Sequence, residues 1–377
     1  CPGVDETLDF DSDGIPDCLD DTYCENDKDP NYGQNESCQC DYSEASNQLT
    51  CYYINPYIIE DYDATAGCIN SYDPPTYNQL NQFRCHVIEF LENPTIYNGD
   101  SGFCPVSLSD LGYEILTYEG YTLFFEKDTG PSQDTFDKGW GTFVYNTSAG
   151  RENLIIEVNH PDADNSTEWI GTNVFADTDA AWLLVAGAHR YACVEGKDCT
   201  EGQNCGADMA REQHSVFQVF HEEITNYFNG DIYALSIHGF GDSYDTYIYD
   251  DSVGIVISNG DYLNGDFLDP VGYATGESYS LLSGMLVGQF NSTILSETNN
   301  YQRPALTVYD AFIYNYMNFN SLGATLNPQG TYTNTNFPDL DPRWIHIEAD
   351  SDIREKNSDG GFRNQYYTAI ENAVSDF

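Results

Sequence analysis

Six short apolar runs constrain this chain more than any other feature: NLIIEV (153–158), AWLLVAG (181–187), IYALSI (232–237), VGIVIS (253–258), ALTVY (305–309) and WIHIE (344–348). Between and after them the sequence predicts amphipathic helices near 207–228, 277–290 and 363–374. Strands that are apolar almost throughout, rather than at every second position, belong to a sheet covered on both faces. The intervening helices supply that cover, so the pattern predicts an α/β domain with a central mixed, largely parallel sheet flanked by helices. In such sheets, sites form beyond the carboxyl ends of the strands.

The 377 residues, 40% of them hydrophobic, are enough for a conventional core. Against 62 acidic residues stand 13 lysines and arginines, a formal net charge of −49. That field repels phosphate backbones and anionic headgroups and excludes nucleic acid and lipid surfaces as partners. The longest apolar run, AAWLLVAGA (180–188), is about half of what a membrane span needs. Twelve cysteines without a zinc-ribbon spacing read as disulfides of an oxidising compartment. Nine precede residue 105 and three follow, so complete pairing needs a bridge between the groups. The chain begins at Cys1 with no initiator Met or signal-like segment, which is read as the processed end of an exported precursor. A secreted or cell-surface protein is expected; a lipid on Cys1 would leave one thiol unpaired.

Residues 1–105 form the first expected unit: disulfide-rich and loop-rich, with one helix at about 80–92. Within it DFDSDGIPDCLDD sets Asp9, Asp11, Asp13, Asp17 and Asp20 around a tight Gly-Ile-Pro turn. Closely spaced carboxylates supply the several oxygens that calcium requires. The stretch resembles a thrombospondin type 3 calcium repeat; without a cation it reads as an acidic surface loop. Residues 106–377 form the second unit, the α/β domain.

The stretch LIIEVNHPDADNSTEWIG (154–171) ends an apolar strand in a polar cluster, either a solvated loop or a metal site. His160 lies just past one strand and His238, in SIHGFG, just past another. Two histidines and a carboxylate from separate strand ends are the open ligand set of a catalytic zinc, with one position left for water. Asp164 is the expected third ligand, with Glu168 as the alternate and Asp162 behind it.

WGTFVYN (140–146), LIIEVNHPDADNSTE (154–168), LLVAGAHR (183–190), LSIHGF (235–240) and WIHIEADSDIR (344–354) resemble, in order, the motifs of zinc-dependent carboxypeptidase-like amidohydrolases of the poly-gamma-glutamate hydrolase and N-formylglutamate amidohydrolase type. The resemblance covers about residues 107–377. It implies zinc on His160, Asp164 and His238, with Glu348 as general base, and hydrolysis of a peptide or glutamyl amide. Arg190, beside His189, and Arg354 are the cations that could hold a substrate carboxylate.

His214 and His221 read as packing residues, HEE (221–223) lacks the second histidine of a zincin motif, and GFGD (239–242) has no lysine of a phosphate loop. Glycosylation sequons occur at Asn35, Asn146, Asn165 and Asn291. The high Tyr and Asn content and the sequon inside the zinc loop favour a different class of function: an extracellular filament-forming or adhesion subunit, self-assembling on an inactive hydrolase fold.

Overall fold

A computed structural model describes residues 49–50, 53–54, 58–59, 72–100, 102–127, 138–164, 166–192, 194, 206–240, 254–259, 281–294, 305–307, 327–338, 343–354 and 362–377. The aspartate loop at 9–20, Asn35 and Asn165 lie outside these residues, as do all cysteines but Cys85 and Cys104, which form a disulfide.

Among the described residues nine strands make one sheet: β1 (Tyr113–Tyr118), β2 (Tyr121–Glu126), β3 (Thr142–Asn146), β4 (Arg151–Val158), β5 (Ala180–Val185), β6 (Tyr233–Gly239), β7 (Ile255–Ser258), β8 (Ala305–Thr307) and β9 (Trp344–Ala349). Their spatial order is β1-β2-β3-β5-β4-β6-β9-β7-β8. The centre, β5-β4-β6-β9, is parallel throughout. β1, β2 and β3 extend it as an antiparallel meander, and β7 joins β9 antiparallel before pairing with β8 in parallel. The chain is therefore an α/β fold with a mixed sheet whose core is parallel. All six predicted strands are present. β1, β2 and β3 are not among them; β1, the outermost, is half-buried and lacks a continuous apolar run.

The described α-helices are α1 (Tyr77–Glu92), α2 (Thr167–Asp177), α3 (Val216–Tyr227), α4 (Leu281–Ile294), α5 (Pro328–Asn336), α6 (Ser351–Arg354) and α7 (Arg363–Asp376). α3 begins later than 207–228 predicts: Ser215 caps it, its hydroxyl accepting from the Gln218 N–H, and the preceding residues are turn and loop. Side-chain alternation along the strands splits the core in two. On one face Leu154, Ile156, Val158, Leu235, Ile237, Ile345 and Ile347 pack with α2, α4 and α7. On the other, Ile155, Trp182, Leu184, Ala234 and Trp344 pack with α1 and α3. Phe90 of α1 stands edge-on to Phe124, Tyr145 and Trp182 at 5.0–5.7 Å. The helix that the sequence groups with residues 1–105 thus contributes its buried face to this second core.

That second face changes character towards the strand ends. The register sets Ile155, Ala234 and Trp344 in one row and Glu157, Ser236 and His346 in the next. His238 and Glu348 are partners in the row beyond. Apolar packing gives way to polar and titratable groups as the strands approach their carboxyl ends. The Glu157 row is held by structural bonds: Glu157 accepts from Trp344 Nε1 at 3.0 Å and meets His221 Nδ1 at 2.6 Å. His221 reaches Thr333 Oγ1 at 2.9 Å through its other nitrogen. His221 is thus a packing residue, as expected, whereas His214 is exposed before α3 and meets Tyr77.

Candidate metal centre

Past the end of β4 the chain closes a single turn, with the Asp164 N–H donating to the His160 carbonyl at 3.2 Å and Asp162 in the left-handed region at φ 65°. A four-residue spacing across one such turn brings both side chains to one side. His160 Nδ1, Asp164 Oδ2 and His238 Nδ1 form a near-equilateral triangle with edges of 3.1, 3.1 and 3.2 Å. All three residues are buried.

The outer nitrogens fix which atoms face inward. His160 Nε2 lies 2.7 Å from Asp208 Oδ1, and His238 Nε2 lies 3.1 Å from Ser236 Oγ. With both Nε2 atoms engaged, the Nδ1 atoms are left as donors towards the centre. The Gly239 N–H steadies Asp164 Oδ2 at 3.2 Å. Asp208 is a residue that the sequence did not single out. Fully buried, it also accepts from the Ala210 N–H at 3.0 Å and Arg190 at 3.3 Å.

Three lone-pair donors this close repel one another unless a proton or a cation sits among them. Without a metal the proton serves. Burial alone would lower the His160 pKa, but Asp164 and Asp208 outweigh it and hold the imidazole up to about 9. Burial likewise opposes ionisation of both carboxylates, yet His160 keeps Asp164 well below its ordinary range and brings Asp208 down to about 2. The donor set fits a zinc ion: tetrahedral ligands with bonds of about 2.1 Å stand about 3.4 Å apart, close to these edges.

Glu348 lies beside this triangle. Its Oε1 is 3.4 Å from His346 Nε2, and its Oε2 is buried with no hydrogen-bond partner among the described residues. His238, His346 and Glu348 also bring their ligand atoms within 4.8 Å of one another. Burial, reinforced by the charge of Asp164, raises the Glu348 pKa to about 8.

The remaining predicted residues divide. Arg190 joins the centre, its guanidinium 3.4 Å from His160 Nδ1 and 4.0 Å from Asp164 Oδ1, with its side chain 19% exposed. Arg354 is not a substrate clamp. It is buried, and its guanidinium donates to the carbonyls of Ala349, Asp164 and Phe240, tying together the ends of β9, the His160–Asp164 turn and β6. A methyl group on Gly239 would lie 2.2 Å from Arg354 Nε, which explains the glycine after His238. Glu168 is not a ligand of this centre either: its Oε2 accepts from the Asp162 N–H at 3.2 Å and closes the turn from the start of α2. His189 is buried and bonded into its own bend, its Nδ1 accepting from the Tyr191 N–H at 3.1 Å. Asn146 is buried and its Nδ2, the atom a glycan would be attached to, donates to Asp179 at 3.2 Å.

No family model and no curated protein matches the chain. Among solved structures it is similar to N-formylglutamate amidohydrolase from Ralstonia eutropha, with 8% identity over 61% of this chain and 95% of that one and a TM-score of 0.35. It is also similar to a metallo-carboxypeptidase from Burkholderia cenocepacia, with 12% identity over 62% and 59% and a TM-score of 0.33. An aspartoacylase family protein from Mesorhizobium loti shares 10% identity over 70% and 69%, with a TM-score of 0.33. Identities this low say nothing about individual residues, so the chemistry of the centre rests on its own geometry.

Proposed function

We propose that the α/β domain is a zinc-dependent hydrolase cleaving an amide or peptide bond next to a free carboxylate. The observation that carries this reading is the triangle of His160 Nδ1, Asp164 Oδ2 and His238 Nδ1, with the unpartnered carboxyl oxygen of Glu348 one strand away. The chemistry zinc supplies when bound there is Lewis acidity, which polarises a carbonyl and makes water acidic near neutral pH. Glu348 takes the proton from the attacking water and returns it to the leaving amine. A dication on the three ligands would favour the ionised form of Glu348, so the base is ready only in the loaded protein. Arg190 is the part-exposed cation beside the centre and would hold the substrate carboxylate.

Incubating the zinc-loaded protein with peptides and glutamyl amides, carboxylate free or amidated, tests this. Cleavage is expected, with amidation lowering affinity or rate. A zinc-loaded protein that cleaves nothing in a broad panel and assembles into ordered filaments would replace the hydrolase reading with the scaffold one.

Extracellular location and the calcium loop belong to the same proposal. Five neighbouring carboxylates repel one another without a cation, so removing calcium at constant ionic strength should expose residues 1–40 to protease before the α/β domain is cut. Digestion unchanged by calcium would reduce Asp9–Asp20 to an acidic surface.

A further inference from the structure

Behind His238 a chain of buried polar groups runs from the centre to the surface. The Ser236 hydroxyl donates to Asn159 Oδ1 at 2.7 Å, and Asn159 Nδ2 donates to Gln329 Oε1 at 3.1 Å. Gln329 Nε2 donates to Gln218 Oε1 at 2.8 Å, and Gln218 Nε2 donates to Glu222 Oε1 at 3.1 Å. Ser236, Asn159, Gln329 and Gln218 are buried; Glu222, at the outer end, is part-exposed and paired with Arg84 at 2.6 Å. The links join β6, the end of β4, α5 and α3, and the bond between Asn159 and Gln329 spans 170 residues of sequence.

Every link points the same way, and two groups that can only accept enforce the direction. One is the Glu222 carboxylate. The other is the Met209 carbonyl, which takes a second hydrogen from Gln329 Nε2 at 3.3 Å. Because Met209 demands an amide N–H, Gln329 cannot turn over. Its oxygen therefore faces Asn159, which must donate with Nδ2 and leave Oδ1 for Ser236. The Ser236 hydrogen is then committed to Asn159, and its oxygen can only accept from His238 Nε2–H.

We infer that Ser236, Asn159, Gln329, Gln218 and Glu222 form a one-way hydrogen-bond relay that sets the tautomer of His238, so that its Nδ1 faces the metal position bare. They are positioning residues, acting on the ligand from as far away as the protein surface. Links oriented alike polarise one another, which makes the ring a better donor to a cation than an isolated Ser–His bond would. The relay rests on the reading of the triangle as a metal centre, but its first consequence, the tautomer, exists without metal.

The test uses the metal-free protein with ¹⁵N-labelled histidine, the His238 signals identified by their loss in His238→Asn. The expected result is a neutral His238 ring with hydrogen on Nε2. Gln329→Met, which cuts the relay while keeping the side chain's length, should move hydrogen towards Nδ1 and weaken zinc binding about tenfold, the usual scale for an outer-shell partner.

Two surface variants guard against misfolding of the buried one. Arg84→Met and Glu222→Gln both break the ion pair, but only the second replaces an obligate acceptor with a group that can also donate. Because Met209 still fixes Gln329, Glu222→Gln should keep the tautomer but weaken zinc severalfold by removing the anionic end of the polarised links, while Arg84→Met leaves the tautomer unchanged and zinc affinity within about twofold. Equal effects of the two variants, or hydrogen on Nδ1 in the wild type, would overturn the relay. The predicted tautomer responses in a protein that takes up no zinc would uphold the relay and remove the metal reading instead.

Discussion

Replacing both His160 and His238 with alanine is expected to take the protein from about one zinc per chain to almost none, because a single carboxylate holds zinc weakly. Each single variant should lose most of its metal as well. Asp208→Asn should weaken binding by about ten- to a hundredfold, since of the three proposed ligands it bonds to His160, and there to the nitrogen facing away from the centre. Metal analysis after dialysis reads all four, with circular dichroism confirming the fold. Full occupancy in the double variant would remove the ligand assignment.

The pH dependence carries a sign. In the metal-free protein His160 titrates at about 9, so at neutral pH it holds a proton that zinc must displace. Zinc affinity should therefore rise with pH until about 9, with about one proton released per ion at pH 7 from His160 and a second from Glu348 as loading ionises it. For the metal-free fold the same shift works in the opposite direction. A histidine whose folded pKa exceeds its unfolded value of about 6.5 adds stability that is complete below that value and is lost as pH rises through the folded one. Thermal midpoints of the metal-free protein should accordingly fall between about pH 6.5 and 9, and His160→Ala should remove the His160 share of that slope, leaving the part that Glu348 contributes below about pH 8. A zinc affinity independent of pH across this window would contradict the protonated triangle.

The parallel centre was legible because strands buried on both faces leave apolar runs, and His160 and His238 were legible because each follows such a run directly. A further signal lay inside the runs. Glu157, Ser236, His346 and Glu348 occupy every second position of otherwise apolar strands, and that alternation marks the polar face beneath the site. Asp208 left no local trace: its role depends on residues 206–211 approaching the end of β4 across a long separation in sequence. Arg354 misled for a related reason. A scarce arginine near a catalytic carboxylate suggests substrate binding, yet three carbonyls from three segments surround it. Carbonyl positions are set by the fold and cannot be read from residue types.

Glu348→Gln is expected to leave zinc in place while lowering hydrolysis by about a hundredfold or more, the scale of general acid–base catalysis. The substitution keeps the shape of the side chain and removes only its ability to take a proton. Stability provides a second reading that does not depend on turnover. Burial raises Glu348 to about 8, so in the metal-free protein it is neutral near pH 7, a state that glutamine imitates. An acid raised in the fold contributes stability that is present below its ordinary carboxylate range and declines as pH rises through about 8. The wild type should show this decline and the Gln variant should lack it, making the metal-free variant the more stable of the two near pH 8. If the variant binds zinc, gains that stability and still hydrolyses at the wild-type rate, Glu348 is a buried acid beside the reaction and the proton must go to another group.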